Sequence, residues 1–131
     1  MAVTNTTITY LNVNQTLTAN AATSTVAGGT EVFTFTPTKA GSKIALIFQS
    51  ASTGTVPATY SIAAGDLWAS GAITGTIGST AAAAALEVLQ FDSAKVLQDD
   101  GTIAVTVSPG DTTTSMLLGT HAFNLYALEL I

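Results

Sequence analysis

The chain has 131 residues, no cysteine and no arginine, and its three lysines stand against eight acidic residues for a net charge of −5. Those figures exclude disulfides and thiolate chemistry. They also argue against nucleic acid or anionic lipid as a partner, because both are held through clustered Lys and Arg. A chain of this length fits one domain that buries roughly two thirds of its unfolded surface; with only 8% of residues charged, the surface has to come largely from Thr, Ser, Asn and Gln.

Residues 1–30 carry no charge. They lack the basic start of a signal peptide, and nothing in the chain approaches a twenty-residue apolar span, so the expectation is a protein made and used without membrane insertion. The sequons at Asn5 and Asn14 would matter only in a secretory pathway. Thr6, Ile8 and Tyr10 alternate, which predicts a strand near 6–13. Gln15 to Gly29 holds only Leu17 and Val26 as sizeable apolar residues and reads as an edge strand or an extended arm. Residues 1–30 are thus expected to form an N-terminal strand with an arm, and 31–131 a single β-sandwich domain.

The stretch Glu31 to Gln49, EVFTFTPTKAGSKIALIFQ, predicts a hairpin folded about Pro-Thr-Lys-Ala-Gly. Phe33 and Phe35 alternate with Val32, Thr34 and Thr36 on its first limb, and Ile44, Leu46 and Phe48 with Ala45 and Ile47 on its second. The five large residues are expected in the core. The second limb is apolar on both faces, which predicts a central strand covered on both sides. Lys39 and Lys43 at the turn are scarce positive charges that could meet an acidic partner.

Thr59 to Ala64 predicts a short strand with Tyr60 and Ile62 on one face, and Ala72 to Ile77 another. Trp68, the only tryptophan, is read as a core plug or a ligand-stacking ring. The five alanines 81–85 have helical propensity, but every neighbour is β, so a strand is expected from about Ala83 to Phe91. KVLQDDGTIAVTV, Lys95 to Val107, predicts a second hairpin turning at Asp99-Asp100-Gly101, with Ile103, Val105 and Val107 facing one way. His121 to Ile131 alternates with apolar residues on both faces, which predicts a strand inside a sheet. About eight short strands spaced by turn residues add up to an all-β fold, an antiparallel β-sandwich or a jelly-roll-like barrel, in a chain that carries 24 threonines.

Chemistry-bearing constellations are sparse. His121 is the only imidazole and has no nucleophile-elbow sequence to serve, so it reads as structural. Asp92, Asp99 and Asp100 invite a calcium reading, but their spacing fits no EF-hand and Asp-Asp-Gly is first of all a turn. Glu31 and Glu87 are expected to pair with Lys43 or Lys95 on exposed sheet faces, where such pairs contribute less than about 1 kcal/mol. No catalytic, cofactor-binding or metal-binding residue is singled out, and no cofactor is expected. A Thr-rich sandwich with Trp68, Tyr60 and Tyr126 as sugar stackers would suit a carbohydrate-binding or adhesive module.

Four segments, FTFTPTKAGSKIALIF, SIAAGDLWASGAITGTI, KVLQDDGTIAVTVSPG and THAFNLYALEL, together resemble, in this order, the small head decoration (cement) proteins of tailed bacteriophages and prophages. The resemblance runs from about Val32 to Leu130. It implies a non-enzymatic virion protein, made in the host cytoplasm, that binds the outer capsid surface and clamps neighbouring copies of the major capsid protein, commonly as a homotrimer. The uncharged residues 1–30 would then supply an arm that adds a strand to a neighbour's sheet edge. A tail or fibre domain is the weaker alternative.

Overall fold

The structure, a computed structural model, describes residues 2–5, 8–10, 17–23, 28–39, 41–50, 58–66, 71–77, 85–109 and 123–130. Their strands are β1 (Ala2–Asn5), β2 (Ile8–Tyr10), β3 (Asn20–Ala21), β4 (Glu31–Phe35), β5 (Lys43–Ser50), β6 (Ala58–Ile62), β7 (Ile73–Ile77), β8 (Ala85–Asp92), β9 (Ile103–Ser108) and β10 (Phe123–Leu130). One sheet has the order β1-β4-β9-β6-β7; the other has the order β2-β10-β5-β8, with β3 pairing to β10 beside β2. Neighbouring strands are antiparallel except β1 with β4 and β2 with β10, which run parallel. The sheets do not close into a barrel. The fold is therefore the all-β sandwich that the alternation predicts.

Alternation decides which residues meet between the sheets. Phe33, Phe35, Ile62, Ile77, Ile103, Val105 and Val107 point inward from one sheet, and Ile44, Leu46, Phe48, Phe91, Leu125 and Ala127 from the other. The expected core residues Phe33, Phe35, Ile44, Leu46 and Phe48 are all interior. Across the sheets Phe48 stacks on Tyr60 with ring centroids 4.7 Å apart and planes 18° from parallel. Such a pair contributes about 0.5–1.5 kcal/mol beyond the area it buries. Tyr60 has room because its cross-strand partner is Gly75: a Cβ there would stand 2.5 Å from the Tyr60 hydroxyl and 2.7 Å from the ring.

Both predicted hairpins are corrected. β4 and β5 form as strands, but they lie in different sheets, so the chain crosses the sandwich between them. Two limbs that each offer bulky apolar residues bury them better by facing each other than by lying side by side in one sheet. In the second case β9 forms and Gly101 takes the expected left-handed turn conformation (φ 81°), but the limb before it is no strand. Ser93–Lys95 is a single 3-10 turn, with Asp92 Oδ1 accepting from the Ala94 amide at 3.0 Å, and Val96 drops fully into the core.

β5 is central, between β10 and β8, as expected. Its outer face is only half-covered at Ala45 and Ile47, however, rather than buried. β8 extends the expected strand to Asp92, and the alanines 81–84 lie outside the described residues. β10 sits inside its sheet between β2 and β5. Every described strand of residues 1–30 pairs with the chain's own sheets, β1 on β4 and β2 and β3 on β10.

Candidate functional site

Of the aromatic residues proposed as sugar stackers, Tyr60 and Tyr126 do not gather. Tyr60 is buried between the sheets, whereas Tyr126 lies on the outer face of β10 and its hydroxyl donates to Gln49 Oε1 at 3.1 Å. Burial, and after it the Glu87 carboxylate, push the Tyr60 phenol above its ordinary value. Trp68 and His121 lie outside the described residues. Of the candidate calcium acids, Asp92 and Asp100 serve the backbone beside them, and Asp99 contributes its amide. Asp92 caps the 3-10 turn, the Asp99 amide donates to Asp66 Oδ2 at 2.8 Å, and Asp100 Oδ1 accepts from the Thr102 hydroxyl and amide at 2.6 and 3.0 Å. Those two bonds hold the Asp100 carboxyl below its usual range. Among the described residues no three His, Cys, Asp or Glu side chains converge as a metal site.

Two acids are instead deeply buried. Glu31 is wholly interior rather than on an exposed face, and its Oε2 and Oε1 accept from the Thr23 amide and hydroxyl, both at 2.9 Å. That contact fixes the segment before β4 against the sheet. Glu129 is equally buried; its Oε2 accepts from the Thr38 amide at 3.0 Å and hydroxyl at 2.7 Å, and its Oε1 from the Lys39 amide at 3.1 Å and the Ser42 hydroxyl at 2.7 Å. Burial pushes this carboxyl up, but the hydrogen bonds from Ser42, Thr38 and Lys39 together outweigh it and hold the group below its ordinary value. Thr38, Lys39 and Ser42, which lie between β4 and β5, are thereby pinned to the end of β10. The alternation carries a signal for both roles that charge alone hides: Glu31 is in phase with Phe33 and Phe35, and Glu129 with Leu125 and Ala127.

The two outer faces differ in chemistry. Thr74 and Thr76 of β7, Thr59 and Ser61 of β6, and Thr106 and Ser108 of β9 stand in register across three strands and line a shallow depression. Neighbouring strands set these hydroxyls about 4.8 Å apart, and the two-residue repeat sets them about 6.8 Å apart along a strand. On the opposite face the register aligns Tyr126, Ile47 and Val88 in one row, Asn124, Gln49 and Leu86 in the next, and Leu128, Ala45 and Gln90 in a third. No charged side chain occurs in these three rows. Leu86 is 62% exposed and Val88 65%. Alternation could not have found them, because it predicts faces and not what covers them.

Of the predicted cations, Lys39 and Lys43 are exposed, and the Lys39 amide serves Glu129. No described helix is long and apolar enough to cross a membrane. No protein-family model matches the chain, and no curated protein matches it in sequence.

Proposed function

We propose that this chain is a virion structural protein that decorates the outer surface of a phage capsid and stabilises it by bridging neighbouring shell subunits. It acts by binding, without a catalytic step or a cofactor. The observation that carries this reading is the charge-free middle of the outer face of the β10-β5-β8 sheet, where Leu86 and Val88 are well exposed and the charges Lys43 and Asp92 stand only in the end row. Docking such a face on another protein buries apolar area without stripping water from charges. The resemblance of the segments between Val32 and Leu130 to decoration proteins supplies the identity of the shell.

Mixing the purified chain with undecorated capsids tests this directly. Saturable co-sedimentation, and shells that resist heat better once loaded, are the expected outcome. Free chain at every ratio overturns the proposal.

A second reading, a carbohydrate-binding or adhesive module, is favoured by the hydroxyl-lined depression on β9, β6 and β7. It rests on those hydroxyls and not on stacked aromatics, since Tyr60 is interior. Glycan-array binding that is lost in a Thr59→Val, Thr74→Val double variant, with no capsid binding, would favour this second reading over the first.

A further inference from the structure

A sheet edge exposes unpaired backbone donors and acceptors, and natural proteins blunt such edges by keeping them short, charging them or covering them. Three of the four terminal strands here are short: β1 has four residues, β2 three and β7 five. β8 has eight and pairs, among the described residues, only with β5. It carries no lysine and no proline, and of the large hydrophobic side chains exposed among the described residues, Leu17, Leu86 and Val88, two lie on it.

We propose that β8 is a self-association edge, at which a second copy of the chain pairs its own β8 antiparallel about a twofold axis through Val88. The backbone groups of the edge call for a strand as occupant, and the side chains of β8 select β8 itself. Residues opposite each other in an antiparallel pair share a face, so the outward Leu86, Val88 and Gln90 must meet one another and the inward Glu87, Leu89 and Phe91 likewise. Three central registers satisfy that rule. Centring on Glu87 opposes two carboxylates, and centring on Leu89 sets Leu86 against Asp92. Centring on Val88 sets Val88 against Val88, Leu86 against Gln90 and Glu87 against Leu89, so that no like charges face each other directly.

The row Tyr126, Ile47, Val88 then continues across the axis into the same row of the second copy. The two β10-β5-β8 sheets become one, with a doubled apolar outer face. Such pairing is isologous and closes at two copies, in contrast to the threefold assembly that the resemblance implies. It is a property of the free chain and holds whether or not a capsid is the eventual target.

The test uses the full chain in solution. Sedimentation velocity across a concentration series should show a monomer–dimer equilibrium. Val88→Lys, which sets two like charges directly opposite each other at the axis, should weaken it roughly tenfold while the far-ultraviolet spectrum and melting temperature stay put. Leu17→Lys, elsewhere on the surface, should leave the dimer intact. Because the chain has no cysteine, Val88→Cys introduces a sole thiol, which should give a disulfide-linked dimer under mild oxidation, whereas Leu86→Cys and Gln90→Cys alone should not. A monomer at all concentrations, a trimer, a dimer indifferent to Val88→Lys, or cross-linking no better at 88 than at 86 and 90 would each overturn the proposal.

Discussion

The sandwich has two open sides, and they are finished in different ways. On one side, β4 and β10 are each extended by N-terminal strands, and the two buried carboxylates sit in β4 and β10 themselves, Glu31 holding Thr23 and Glu129 holding Thr38, Lys39 and Ser42. On the other side, β7 and β8 end their sheets with no described strand beyond them; β7 is short and its outward residues are threonines, while β8 is long and turns Leu86 and Val88 outward. The closed side gets its order from polar groups placed inside, the bare side from a glycine and a ring stack. The comparison teaches that a chain with few charges can place carboxylates such as Glu31 and Glu129 where they organise backbone.

The sharpest break of this contrast is Glu129→Ala, which strips four donors of their shared acceptor. Stability should fall by about 3 kcal/mol, lowering the thermal midpoint by roughly 10 °C; an unchanged melting curve would show that the carboxylate does not hold Thr38, Lys39 and Ser42. Acid probes the same group more gently. The folded Glu129 carboxyl lies below its ordinary value, so its contribution is fully present above the unfolded-state pKa and is lost as pH falls through the folded one. Denaturant midpoints should therefore drop with acidification, and drop less steeply in Glu129→Gln.

Next in size is Glu31→Ala, expected to cost about 2 kcal/mol and to speed hydrogen exchange at the Thr23 amide, while dimer formation through β8 is untouched. Gly75→Ala on the bare side is the smallest, about 1–2 kcal/mol, because the Tyr60 phenol has to leave the added methyl. Equal losses in Gly75→Ala and Glu129→Ala, read by chemical unfolding, would erase the difference between the two sides.

Much of the fold is legible in the alternation. Phe33, Phe35, Ile44, Leu46, Phe48, Ile103, Val105 and Val107 are interior as their spacing predicts, and the strand at 85–92 forms as expected. Partner choice is what the sequence hides. Periodicity reports which way a side chain points but not which strand lies beside it, so β4 and β5 looked like a hairpin while burying their large residues from opposite sheets. Likewise the turn at Asp99 to Gly101 is local chemistry and readable, whereas Val96 in the core is a tertiary matter. The outer faces are the least legible part, because threonine and leucine occur there for reasons that only a neighbour would reveal.

The parallel pairing of β2 and the short β3 pairing, both against β10, bear on how the protein is made. Asn20 donates to the Leu125 carbonyl at 2.9 Å, across 105 residues of chain, so β2 and β3, unlike β1, cannot find their place on the ribosome until residues 123–130 have emerged. Folds built on such distant partners form slowly compared with locally connected ones. In that interval the nascent chain carries an unsealed apolar sheet, with only eleven charged residues to keep neighbouring copies apart. High expression rates should therefore favour inclusion bodies over native protein.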